Sequence, residues 1–273
     1  MESKISITKG TVEETLLLPL WGRAYETQRQ NPRLIDNKAV EIIQAIDYDF
    51  SEIEKTQGVS QHGWVARSLH TDNLAREFIK KHPKAAVVNI GCGLDTTFSR
   101  IDNGEILFYE LDLPEVIELR KQFYEESKRH RNLASSFMDT KWFDEIKVRD
   151  GLLFLAGGVL YYFEAEQIKD FFIAAADYFK SCDFYFDSLS PKGLEFAKKA
   201  ILKKGGMSMS LEGGWGLNPV KELETWDKRI KVVNTVPIYQ GVKKDISLKH
   251  RLFLSISDLL GLCSMVHIRI EPN

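Results

Sequence analysis

An α/β fold is predicted, with a doubly wound sheet, an antiparallel far edge and an N-terminal helical extension. Two observations carry this reading. Short apolar runs alternate through the middle of the chain with segments of three-to-four spacing, the pattern of parallel strands joined by covering helices. After Gly205-Gly206 the alternation loosens, and the remaining strand-like runs suit an antiparallel edge. Residues 1–82 read as a helical cap and residues 83–273 as the sheet-bearing domain, the two forming one compact unit.

Each element has its own signal. From Thr11 to about Lys81 the chain is helical in character: Leu17, Leu20 and Ala24 share a face, as do Ala39, Ile42, Ile43 and Ile46. Gln61 to Lys81 carries Val65, Leu69, Leu74 and Phe78 before Pro83 ends it. The period then changes. Ala85 to Ile90 is a buried strand running into Gly91-Cys92-Gly93, and Ile106 to Asp112 is a second strand. Pro114 suits the first turn of a helix whose face is Val116, Leu119 and Phe123. A third strand is expected around Leu133 to Phe137 and a fourth over Leu152 to Gly158, followed by a helix from about Glu164 to Lys180. Asp183 to Asp187 is the fifth strand, and Ser190-Pro191 caps the next helix. Strands are expected at Met207 to Leu211, Ile230 to Ile238 and Met265 to Ile270, with helices from Pro219 and from about Leu248.

Composition narrows the function. The 37 Lys plus Arg against 39 Asp plus Glu leave a net charge of −2, which provides no basic field for nucleic acid. Cys92, Cys182 and Cys263 are far apart and form no C-x-x-C pair, so a disulfide framework or zinc site is not expected and a reducing compartment fits. The start of the chain has no apolar signal core and no run is long enough to span a membrane, so the expected location is the cytoplasm. His62, His70, His82, His130, His250 and His267 are scattered without metal-ligand spacing.

In open parallel sheets, ligands bind beyond the carboxyl ends of the strands. Here the first strand ends in Gly91-Cys92-Gly93-Leu94-Asp95-Thr96, where two glycines permit close backbone approach, and the second ends in Asp112, placed to accept both hydroxyls of a ribose. A dinucleotide fingerprint requires a third glycine near the pyrophosphate, and that position is Thr96. S-adenosylmethionine has no pyrophosphate, so the pattern favours it over a nicotinamide cofactor. The bland alternative is a tight strand-to-helix turn with Asp112 capping the following helix.

These strings resemble the leucine carboxyl methyltransferase family. The resemblance rests on Val88 to Arg100 (VNIGCGLDTTFSR) and Glu110 to Ile117 (ELDLPEVI), with Pro19 to Ala24, Gly158 to Phe163 and Phe186-Asp187 in the same order. It covers about Thr11 to Ser190 and implies a Rossmann-like, S-adenosyl-L-methionine-dependent methyltransferase acting on the oxygen of a small-molecule carboxylate or hydroxyl. It further implies that Gly91 and Gly93 line the methionine part of the cofactor, with Cys92 a small packing residue between them in this cofactor-binding turn, that Asp112 holds its ribose, and that Arg67 pairs with its carboxylate. Ser136 and Phe137 are implied to contact adenine, though Phe137 would serve equally as core; Asp139 is placed nearby, or caps the next turn. Arg23 matches a basic position near the cofactor. The chain departs from the family at Ala156-Gly157-Gly158-Val159-Leu160, where Gly157 replaces a glutamate that reaches the cofactor. That departure leaves a cofactor-binding member with little methyl transfer as an alternative.

The remaining candidates are weaker. Tyr161, with Tyr162, follows the fourth strand where an acceptor approaches, so Tyr161 is a substrate-binding candidate. Lys198, Lys199, Lys203 and Lys204 read as a solvated helix face, or as a rim for an anionic substrate. Trp215 either borders a substrate pocket or packs half-exposed. No base stands out, and a carboxylate acceptor needs none, being ionised at neutral pH.

Overall fold

The computed structural model describes residues 4–7, 12–204 and 214–272. The helical extension comprises α1 (Val12–Thr27), α2 (Asn37–Ala45), α3 (Ser51–Thr56) and α4 (Gly58–Lys81), with a small parallel pair, β1 (Ile5–Ser6) and β2 (Ile46–Asp47). Asp36 starts α2 by accepting a hydrogen bond from the Ala39 N–H at 3.0 Å.

The main sheet follows the predicted alternation. β3 (Ala86–Ile90), α5 (Thr97–Ile101), β4 (Leu107–Asp112), α6 (Pro114–Arg120), β5 (His130–Ala134), β6 (Leu152–Ala156), α7 (Ala165–Phe179) and β7 (Cys182–Leu189) form its parallel part. α8 (Pro191–Lys204), β8 (Ile230–Pro237), α9 (Leu248–Leu259) and β9 (Cys263–Ile270) complete the chain. The strand order is β5-β4-β3-β6-β7-β9-β8, and β9 runs antiparallel to both its neighbours. The antiparallel far edge is therefore a single reversed strand, with β8 parallel to β7. Chain order reverses direction at β3, where its two flanks are β4 and β6, and the carboxyl ends there make the ligand crevice of such sheets.

Strand alternation sorts the core into two layers. Ala86, Val88, Ile90, Phe154 and Ala156 pack with Phe171 and Phe172 of α7, while Val87, Phe108, Leu153 and Leu155 pack with Ala75 and Ile79 of α4. A third cluster joins Leu17, Leu20, Ala39 and Ile42 of the extension to Leu94, Leu119 and Tyr124.

Two expectations shift, and a third is not tested. The third strand lies at His130–Ala134, earlier than Leu133 to Phe137. Its polar start hides it in the sequence; His130 is buried because its Nε2 meets the Glu110 carboxylate at 3.1 Å across the sheet. The helix expected from Pro219 is a 3₁₀ segment, Val220–Thr225. The strand expected at Met207 to Leu211 lies outside the described residues. Among the described residues, no helix is long and apolar enough to cross a membrane.

Candidate active site

A cavity of about 300 Å³ opens at the carboxyl ends of β3 and β6, between α1 and α4. The Gly91–Gly93 turn forms part of its wall. Gly91 and Gly93 have φ of +62° and +47°, which favours glycine on conformational grounds alone. Space demands it as well: a Cβ at Gly91 would lie 2.4 Å from Val159 Cγ2, and one at Gly93 would lie 2.9 Å from Leu16 Cδ2. α1 thus closes directly over the turn.

Buried charge fixes the turn from below. Arg120, fully buried, donates to the carbonyls of Gly93 (2.9 Å) and Asp95 (2.8 Å) and to the Glu110 carboxylate. Glu110 also accepts from Asn89 Nδ2 at 2.9 Å. A second network ties the turn to the extension. Asp36 accepts from Arg23 Nε and Arg100 Nη1, each at 2.9 Å, and from the Thr96 hydroxyl. Arg100 in turn forks onto Asp72 at 2.7 and 2.9 Å. Thr96, which distinguishes this turn from a dinucleotide fingerprint, is therefore a structural link to α2.

The opposite wall is built on Arg67 of α4. Its Nε donates to Asp187 Oδ2 at 2.9 Å, Nη2 lies 2.8 Å from the same oxygen, and Nη2 also donates to the Tyr161 hydroxyl at 3.3 Å. Asp187 Oδ1 accepts from the Gly158 N–H at 2.6 Å, tying the end of β7 to the loop after β6. No partner of Arg67 Nη1 is found among the described residues; this nitrogen sits against Gly158, where a Cβ would approach it to 2.6 Å. At Gly157 a Cβ would lie 3.1 Å from Arg67 Cδ, so glycine there gives the guanidinium room.

The expected site residues divide into two groups. Arg67, Gly91, Cys92, Gly93, Gly157 and Tyr161 all line the cavity, as do Arg23 and Tyr162. Arg23 spends its guanidinium on Asp36 and on the Leu94 carbonyl at 3.1 Å. Burial pushes the Cys92 thiol far above its usual range, which suits packing and not nucleophilic chemistry. Burial likewise raises Tyr161, which keeps its proton.

Asp112, Ser136 and Phe137 stand outside the cavity lining. Asp112 remains coupled to it, accepting from the Gly93 N–H at 2.8 Å; burial raises this carboxyl against the opposing pull of the Gly93 and Leu113 amides. The Ser136 hydroxyl accepts from the Met138 N–H at 3.3 Å. Phe137 packs edge-on against Phe163 and Phe171. Asp139 caps the following 3₁₀ turn through the Lys141 N–H. Trp215 is buried against Phe186 and Trp226, and Lys198 pairs with Glu195 on its own helix. The described residues contain no group of three metal-ligating side chains.

Sequence reasoning missed several lining groups. Trp64, Ser68 and Thr71 join Arg67 on one face of α4, and helical spacing from Arg67 would have found them. Asp95 lay inside the quoted G-C-G-L-D-T string with no role assigned to it. Asp187 closed another matching string, but nothing local to it pointed to Arg67.

Comparison with known proteins gives a consistent result. The family model for leucine carboxyl methyltransferase matches residues 17–176. The chain is 31% identical over 216 residues to the tetracenomycin polyketide synthesis O-methyltransferase TcmP of Streptomyces glaucescens, covering 78% of each chain. It is 25% identical over 242 residues to the S-adenosyl-L-methionine-dependent methyltransferase dpfgK of Gibberella zeae, covering 81% of this chain and 80% of that one. Among solved structures, it resembles the plantazolicin methyltransferase BamL in complex with a triazolic desmethylPZN analog and SAH. The TM-score is 0.52 at 10% identity, covering 96% of this chain and 98% of that one, a likeness of fold.

Proposed function

The chain belongs to the leucine carboxyl methyltransferase family, and on that premise we propose that it transfers a methyl group to the carboxylate, or a hydroxyl, of a small molecule. It is an S-adenosyl-L-methionine-dependent methyltransferase, and the named O-methyltransferase relative supports oxygen as the acceptor atom. The observation that carries the reading is one cavity holding the glycine turn, Arg67 with no partner for Nη1 among the described residues, and the tyrosine pair.

When bound, the cofactor supplies a methyl already activated on a sulfonium, so the protein's task is mainly alignment. Arg67 Nη1 would take the cofactor carboxylate while Asp187 holds the rest of the guanidinium still. Gly91, Cys92, Gly93 and Gly157 would let the ligand approach the backbone; Asp112 would hold the ribose, and Ser136 with Phe137 the adenine. Tyr161 accepts from Arg67 and retains its own proton, so its hydroxyl would donate a hydrogen bond to an acceptor oxygen. An acceptor carboxylate is ionised at neutral pH and needs no general base. In this reading residues 1–82 form the cap and 83–273 the catalytic domain, as one unit. The three free thiols support a reducing, cytoplasmic setting.

Calorimetry with S-adenosylmethionine and with NAD tests the cofactor. Binding of the first and not the second is expected, and absence of S-adenosylmethionine binding would overturn the reading. Transfer of labelled methyl to a panel of carboxylates and phenols then tests the reaction. Gly157 favours one competing outcome, cofactor binding with little turnover, and that result would assign the chain a binding role.

A further inference from the structure

The glutamate absent at Gly157 leaves the cationic amine of a bound S-adenosylmethionine without an obvious counter-charge. We infer that Asp95 provides it, as a cofactor-binding residue in the same cavity as that glycine. The inference rests on the cofactor reading above and adds to it a residue to which neither the resemblance nor the comparisons give a role.

Three observations carry it. First, the charged residues among those lining the cavity are Arg23, Arg67 and Asp95, so Asp95 is the single carboxylate among the described lining residues. Second, the two oxygens of Asp95 are engaged differently. Oδ2 is anchored by Asn89 Nδ2 at 3.1 Å and the Thr97 N–H at 3.2 Å. Oδ1 lies 3.7 Å from Arg23 Nη2 and 3.9 Å from Arg100 Nη2, beyond hydrogen-bond reach of either. Third, in the network of Arg23, Arg100, Asp36 and Asp72 every side chain is 5% exposed or less, whereas the Asp95 side chain is 23% exposed. Of the network's two cavity-lining members, Arg23 and Asp95, Asp95 is therefore the more accessible.

Charge matching leaves that carboxylate available. Arg23 is paired with Asp36 at 2.9 Å, and Arg100 is shared between Asp36 and Asp72. Arg76, 3.6 Å from Asp72, is half exposed, so solvent screens its charge. Burial alone would raise the Asp95 carboxyl, but Arg23 and Arg100 hold it well below the ordinary range, so it stays ionised at any working pH. Its position is also fixed, because Asn89 bridges it to Glu110 and Arg120 grips its carbonyl. A fixed, ionised and partly accessible acid in the cavity of Arg67 suits a zwitterionic amino-acid group: Arg67 for the carboxylate, Asp95 for the ammonium.

The test is calorimetry on Asp95→Asn with two ligands, S-adenosylmethionine and 5′-methylthioadenosine, which lacks the amino-acid portion. The expected loss of S-adenosylmethionine affinity is about ten- to a hundredfold, the range of a charge-assisted hydrogen bond, with methylthioadenosine affinity unchanged within about twofold. Equal losses for both ligands would reduce Asp95 to a structural member of the network and overturn the inference, as would an undiminished S-adenosylmethionine affinity. A wild-type protein that binds neither ligand overturns the cofactor reading itself, a different result from either.

Discussion

Beneath the Gly91–Gly93 turn, charge is buried and paired: Glu110 and Arg120 are fully inaccessible, and Arg23, Asp36, Asp72 and Arg100 are nearly so. On α9, at the far edge, the pattern is inverted. Leu248, Leu252, Phe253, Ile256 and Leu259 are exposed, while Leu254 and Ser257 face inward. Both regions defy the rule that charge goes outside and apolar groups inside, but with different consequences. Buried ions carry a desolvation cost that only good geometry offsets, so the first region holds one backbone arrangement rigidly. An exposed leucine costs little, so the second adds little to the fold's stability.

The sharpest way to break this contrast is Arg120→Met, which strands the Glu110 carboxylate in the interior. A loss of about 3–5 kcal/mol in urea unfolding is expected. The double variant with Glu110→Gln should regain part of it, since no unpaired charge then remains. If the single variant costs under about 1 kcal/mol, the turn is not held by this pair.

Acid should separate the regions next. Glu26 of α1 is fully buried; burial pushes its carboxyl up, but hydrogen bonds from Arg33 and Gln61 win and lower it to about 2 from 4.5. Its stabilisation, about 3 kcal/mol, is therefore complete above pH 4.5 and lost as pH falls towards 2. His62 adds to this from higher pH. Burial, with the neighbouring Arg33 and His250, holds it down to about 4, so the unfolded chain takes up a proton first and stability declines from about 6.5 downward. Denaturation midpoints from pH 7 to 3 should show both slopes, and Glu26→Gln should flatten the lower one.

The smallest effect belongs to α9. Leu252→Ala should change stability by no more than about 0.5 kcal/mol in the same assay, because its side chain meets solvent. A loss above about 2 kcal/mol would mean that this face is covered, and the contrast would fall.

Much of the first region could be read from the chain. Apolar runs marked β3, β4, β6 and β7, and the glycine turn and Asp112 marked the crevice, because each is a pattern among near neighbours. β5 was misplaced because His130 and Asn132 look polar until Glu110 is set beside them. Asp95 was visible as a letter within a motif, but its exposure to the cavity and its two unequal oxygens were not. Phe137 packs edge-on against Phe163 and Phe171, neighbours that its place in the sequence did not indicate.

The chain by itself determined its alternating strands and helices, the glycine turn that lets a ligand approach the backbone and the choice of Thr96 over a third glycine. Periodicity and backbone sterics act over a few residues, so they can be read in one dimension. Only the tertiary structure decided that Arg67 meets Asp187, 120 residues away, and that Asp36 in the cap anchors both Arg23 and Arg100. Ion pairs of this kind depend on which elements the sheet order brings side by side and on how deeply each partner is withdrawn from water. Neither quantity exists until the chain has folded.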